Sequence, residues 1–95
     1  MTLVHDSFTV GTSPTLIATI PAKNPTTMVT VVNDDNSSIY IGDVTVATSG
    51  ADKGLTVVKS TSYNIAMNAG DKLYAISAAG TTSYAVSVIY SKVIG

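Results

Sequence analysis

Apolar residues recur along this chain in short bursts of period two, separated by turn-forming clusters. Near the end, Tyr84, Val86, Val88 and Tyr90 fall on one side of an extended segment, and Ala85, Ser87, Ile89 and Ser91 on the other. That alternation is the mark of a strand with one side on a core. Val29 and Val31 alternate with Met28, Thr30 and Val32, so both sides are partly apolar and the strand is expected in the middle of its sheet. No window carries a helical period. The intervening clusters are Gly11-Thr12-Ser13-Pro14, Pro21-Ala22-Lys23-Asn24-Pro25, Asn33-Asp34-Asp35-Asn36-Ser37 and Asn68-Ala69-Gly70-Asp71. Their residues tolerate positive φ, fix φ or bond their own backbone. Strands are predicted at 3–10, 15–20, 27–33, 38–41, 55–58, 62–66, 73–77 and 83–91. Ala78-Ala79-Gly80-Thr81-Thr82 reads as a hairpin joining the last two, with Gly80 left-handed. Residues 44–53 read as a long loop with a short strand at its start.

Composition strengthens the sheet reading. Thr and Ser fill 25 of 95 positions, and Glu, Gln, Arg, Trp and Cys are absent. The missing residues include strong helix formers, and the abundant ones suit a pleated, half-buried surface. The fold class expected is all-β: one small antiparallel β-sandwich of about eight strands, Ig-like or jelly-roll-like, spanning residues 1–95. Residues 1–10 are read as an N-terminal arm or an extra edge strand. Apolar content of 45% is high for so small a domain, which predicts apolar surface outside the core and a homo-oligomer or lattice contact.

Charge and motifs remove several function classes from the expectation. Six Asp against five scattered Lys give a net charge of −1 and no basic stripe, so nucleic acid is not an expected partner. The N-terminus lacks a basic region followed by an apolar run, and no apolar stretch approaches a membrane span. A soluble chain made in the cytoplasm is expected. His5 is the single histidine, and its neighbour Asp6 points to the opposite side of a strand, so no catalytic set is expected. Asp34-Asp35-Asn36 lacks the spacing and the bidentate Glu of a calcium loop and reads as a turn. Asp43 and Asp52 flank the long loop without a ligand spacing, and no Gly-rich phosphate cradle is present. Neither metal nor cofactor is expected, and the chain is not read as an enzyme. The candidate contact residues are Leu3, Val4, Phe8, Tyr40, Tyr84 and Tyr90, for a protein partner or, as an alternative, a glycan stacked on tyrosine.

Two segments carry a family resemblance. One runs Asn33-Asp34-Asp35-Asn36-Ser37-Ser38-Ile39-Tyr40-Ile41-Gly42-Asp43-Val44-Thr45, followed by Ser49-Gly50 and an apolar strand. The other is Ala69-Gly70-Asp71-Lys72-Leu73-Tyr74-Ala75-Ile76-Ser77-Ala78-Ala79-Gly80-Thr81, followed by a β-branched final strand. Together with Asn24-Pro25 and Val29-Thr30-Val31-Val32-Asn33, this order resembles small virion proteins of tailed bacteriophages over residues 15–93. The resemblance implies a structural virion role. The expected partner is the major capsid protein of a phage, bound on the outer capsid surface, where the chain clamps the lattice without covalent bonds. Alternatives are a tail, baseplate or fibre module, and a receptor- or glycan-binding sandwich. The chain lacks the Arg common before the third strand of such proteins, at Thr26-Thr27-Met28, and no large appended domain is expected.

Overall fold

The computed structural model describes residues 2–93. Eight strands form: β1 (Thr2–Phe8), β2 (Thr15–Thr19), β3 (Thr27–Asn33), β4 (Ile39–Gly42), β5 (Leu55–Val57), β6 (Thr61–Met67), β7 (Lys72–Ile76) and β8 (Val86–Lys92). Each predicted strand has its counterpart, within a residue or two at most ends. The final strand begins three residues later than the alternation suggested. In place of a short strand at the start of the 44–53 loop, there is a single bridge between Ala47 and Lys53.

Two four-stranded sheets result, in the orders β1-β8-β3-β6 and β2-β7-β4-β5, with every strand pair antiparallel. The pairs β1/β8, β2/β7, β3/β6 and β4/β5 are successive rungs of one long hairpin ribbon rolled over itself. This is jelly-roll topology, and it decides between the two sandwich types that the sequence left open. The ribbon stays bonded where it crosses between the sheets. At the first crossing, Ser77 N–H donates to Gly11 O at 2.9 Å and Thr81 N–H to Val10 O at 2.8 Å. At the second, Ile20 N–H donates to Asp71 O and Gly70 N–H to Ile20 O, both at 2.9 Å.

One consequence corrects the sequence reading. Residues 78–82 do not form a hairpin, because β7 and β8 lie in different sheets. Gly80 does take a left-handed φ of 84°, but the same turn chemistry serves a chain that crosses over the sandwich edge. The strand β3 is internal to its sheet, as its two-sided apolar pattern requires.

The core is almost wholly aliphatic. Val10, Ile17, Ile20, Val29, Val31, Ile39, Ile41, Val57, Leu73, Ala75, Val86 and Val88 are buried between the sheets, and Phe8, Ile65 and Tyr90 close its margins. Burying each of the larger aliphatic side chains is worth about 1.5–3 kcal/mol. β1 is an integral edge strand rather than a free arm: all of Thr2–Phe8 is in register with β8, and Val10 just beyond it is fully buried. No helix of the described residues is long and apolar enough to cross a membrane.

Candidate functional site: an uncharged sheet face

Strand alternation and register determine which side chains share the outer side of the β1-β8-β3-β6 sheet. They are Leu3, His5 and Ser7 from β1, and Ser87, Ile89 and Ser91 from β8. From β3 come Met28, Thr30 and Val32, and from β6 come Ser62, Asn64 and Ala66. His5, Ile89, Thr30 and Asn64 form one straight rung, and Ser7, Ser87, Val32 and Ser62 the next. No Asp or Lys occurs on this face. Leu3 is 66% exposed, Met28 57% and Ile89 40%. The polar groups partly satisfy one another: Ser7 and Ser87 hydroxyls bond at 3.0 Å, and Thr30 Oγ1 donates to Asn64 Oδ1 at 2.7 Å. Short, mutually bonded side chains lose little rotamer entropy when covered. This surface carries no carboxylate or ammonium that would have to be desolvated.

The opposite outer face differs. Tyr40 and Tyr74 are half-buried there, beside Lys72, and Ile76 between them is buried despite pointing outward. Lys53 sits over the Tyr40 ring, its Nζ 5.8 Å from the centroid, a cation–π contact. The loop that carries Lys53 packs closely on β4: a Cβ at Gly54 would lie 2.5 Å from Ile41 O and from Val46 Cγ2. Only glycine fits there.

Two polar knots brace the sandwich ends. Asn33, fully buried at the end of β3, donates through Nδ2 to Ser37 O at 2.9 Å and Val57 O at 3.0 Å, and its Oδ1 accepts from Asp35 N–H at 3.0 Å. Asp35, only 5% exposed, accepts from Thr82 N–H at 2.9 Å, Thr82 Oγ1 at 3.0 Å and Ser37 N–H at 3.2 Å. The Thr82 amide is the chief cause holding this carboxyl below its ordinary range; burial opposes it, and the Thr82 hydroxyl and the Ser37 and Asn36 amides add to the lowering. The expected turn role of Asp35 thus extends to a bridge between the β3–β4 and β7–β8 connections. At the other end, buried Asn24 donates to Ser91 O at 2.8 Å and Thr27 Oγ1 at 3.0 Å, and accepts from Val93 N–H at 2.8 Å.

The six candidate contact residues are dispersed. Leu3 belongs to the uncharged face. Val4 and Phe8, on the same strand, point to its inner side and are half-buried. Tyr40 lies on the other sheet under Lys53. Tyr90 packs against the core margin, and its hydroxyl donates to Thr19 O at 3.3 Å. Tyr84 does not share the side of Val86 and Val88: it precedes β8 with a left-handed φ of 54° and is 71% exposed. Its amide donates to Thr9 Oγ1 at 3.0 Å. Met28 and Ile89 of the uncharged face were absent from the expected contact set, because they become neighbours only when the register is known.

Clefts open on both sides of the sandwich. The larger, about 290 Å³, opens between β5 and β6 over Ile41, Val46, Leu55 and Ile65, with Asp43, Asp52 and Lys53 at its rim. Asp43 is occupied locally: its Oδ1 accepts from Thr45 Oγ1 at 2.6 Å and Thr45 N–H at 2.9 Å, which lowers its pKa. The other, about 230 Å³, lies between β1 and β2, with Asp6, Phe8, Leu16 and Tyr90 among its walls. Among the described residues no three His, Asp, Glu or Cys side chains gather in a metal-binding group. No family model, curated protein or solved structure matches this chain.

Proposed function

We propose that this protein is a structural component of a tailed-phage virion that binds the outer surface of the capsid and stabilises its lattice. The observation that carries the reading is the uncharged outer face of the β1-β8-β3-β6 sheet, with Leu3, Met28 and Ile89 exposed among Ser, Thr and Asn. Large apolar side chains left open on a sheet face without Asp or Lys suit burial against another protein. The jelly roll lends support by analogy only, since viral capsid and lectin domains both use it. The bacteriophage-like order of residues 15–93 favours the virion among these.

In this reading the outer face of the β1-β8-β3-β6 sheet lies on the shell and spans neighbouring capsid subunits. Binding to the assembled lattice and not to free subunits raises the free energy needed to pull them apart. Simultaneous contacts with several subunits raise affinity beyond that of any one. Because the face lacks charge, added salt weakens the contact little.

The test is co-sedimentation of the protein with undecorated shells from about 0.05 to 1 M salt, followed by thermal rupture of the shells. Binding that persists across the series and a higher rupture temperature are expected. The double variant Met28→Lys, Ile89→Lys is expected to stay folded and not bind. No binding to shells, with binding to tails or to a glycan through Tyr84, would overturn the capsid assignment.

A further inference from the structure

The sandwich has four sheet edges, and three of them carry features that oppose pairing with another strand. β5 is three residues long. β2 has a register shift between Leu16 and Ala18 and follows directly on Pro14. β1 carries Asp6 on its inner side, lining the cleft against β2. Short length, bulges, proline and inward-pointing charge are the devices that blunt an edge. β6 has none of them. All seven residues, Thr61-Ser62-Tyr63-Asn64-Ile65-Ala66-Met67, pair with β3 without a register shift, and none is charged or proline. Apolar side chains also gather on this side of the sandwich, where Leu55, Val58 and Tyr63 are exposed.

We propose that β6 pairs antiparallel with β6 of a second copy of this chain, joining two β1-β8-β3-β6 sheets into one continuous eight-stranded sheet. A second copy fits because the strand is complementary to itself. With the two-fold axis at Asn64, Tyr63 of each copy stands opposite Ile65 of the other, an aromatic against a β-branched residue. Ser62 then faces Ala66, and Thr61 faces Met67. An isologous contact sets residues near its axis against their own kind, so a charge there would repel its twin. The strand has no charge to repel. The nearest flanking charges are opposite in sign: the same register brings Lys59 of one copy alongside the Asn68–Asp71 turn of the other. The uncharged outer faces of both copies then lie on one continuous sheet, doubling the surface offered on one side. This inference stands on the edge alone and does not depend on a capsid partner.

The experiment measures the mass of the full chain by sedimentation equilibrium from about 5 to 500 μM, with Asn64→Lys and Asn64→Asp alone and mixed. Asn64 is exposed, so both variants are expected to fold. The unmodified chain is expected to dimerise, and each variant alone to dissociate with Kd raised at least about tenfold. An equimolar mixture is expected to recover the dimer, since opposite charges then meet across the axis. A monomer throughout, or variants that dimerise as the parent does, would overturn the proposal. So would a mixture that fails to recover, or a dimer lost through Met28→Lys, Ile89→Lys instead. If either variant proves unfolded, amide exchange on the unmodified chain decides: β6 amides should gain protection with concentration, and unchanged protection refutes the pairing.

Discussion

On the outer side of the β2-β7-β4-β5 sheet, half-buried tyrosines flank a buried Ile76, and a loop held close by Gly54 brings Lys53 onto Tyr40. On the outer side of the β1-β8-β3-β6 sheet, no Asp or Lys appears among the described strand residues, and Leu3, Met28 and Ile89 stand open. The first face covers most of its apolar area from within the chain and leaves Leu16 open at its β2 edge. The second leaves that area uncovered while its hydroxyl and amide groups bond among themselves. An apolar side chain contributes to folding only where something in the same chain covers it. The open face therefore contributes little to the stability of one copy, and its apolar content is what the proposed contact would cover.

If that comparison is right, stability resides between and behind the faces, and unfolding in urea measures it. The largest loss is expected from Asn33→Ala, which leaves Val57 O and Asp35 N–H buried without their partner, at about 3 kcal/mol or more. Met28→Ser or Ile89→Ser on the open face should change stability by no more than about 0.5 kcal/mol. An open-face substitution as costly as Asn33→Ala would break the comparison. Gly54→Ala comes next: a methyl group 2.5 Å from Ile41 O must push the loop off β4. About 2 kcal/mol should be lost, with Lys53 leaving the Tyr40 ring and the ring proton shifts reporting it.

Acid titration sharpens the same point without a deletion. The Asp35 pKa is lowered in the folded chain, so the unfolded chain binds the extra proton. The associated stability is fully present above the ordinary carboxylate value of about 3.9 and is lost as pH falls through the folded value. Asp35→Asn should flatten the decline of melting temperature in that window. A small effect of opposite sign is expected at Ser77, whose buried hydroxyl has no partner among the described residues. Ser77→Ala removes an unsatisfied group and should be neutral or stabilising by up to about 1 kcal/mol, read as a small rise in urea midpoint.

The elements were legible because period two and turn chemistry are local properties. β3 and β8 announced themselves through Val29/Val31 and Val86/Val88, and the internal place of β3 followed from its two apolar sides. What escaped was non-local. Gly80 needs the same left-handed φ whether the chain turns back in its own sheet or crosses to the other, so the crossover was read as a hairpin. Alternation carried through Tyr84 although its backbone is left-handed there. The bond from Thr82 to Asp35 joins residues 47 positions apart. The uncharged face draws alternate residues from four strands of non-adjacent sequence. Its composition was visible in the absence of Glu, Gln and Arg, but its location was not.

The pairing of β1 with β8 has a consequence for how the chain is made. β1 is made before the other seven described strands and has β8, the last of them, as its sheet partner, so nothing synthesised in between can complete its backbone bonding. Thr2–Phe8 waits, with Val4 and Phe8 uncovered, until Val86–Lys92 has been made. Closing the sheet then has to follow the synthesis of β8, and its speed is limited by bringing distant segments together rather than by local structure.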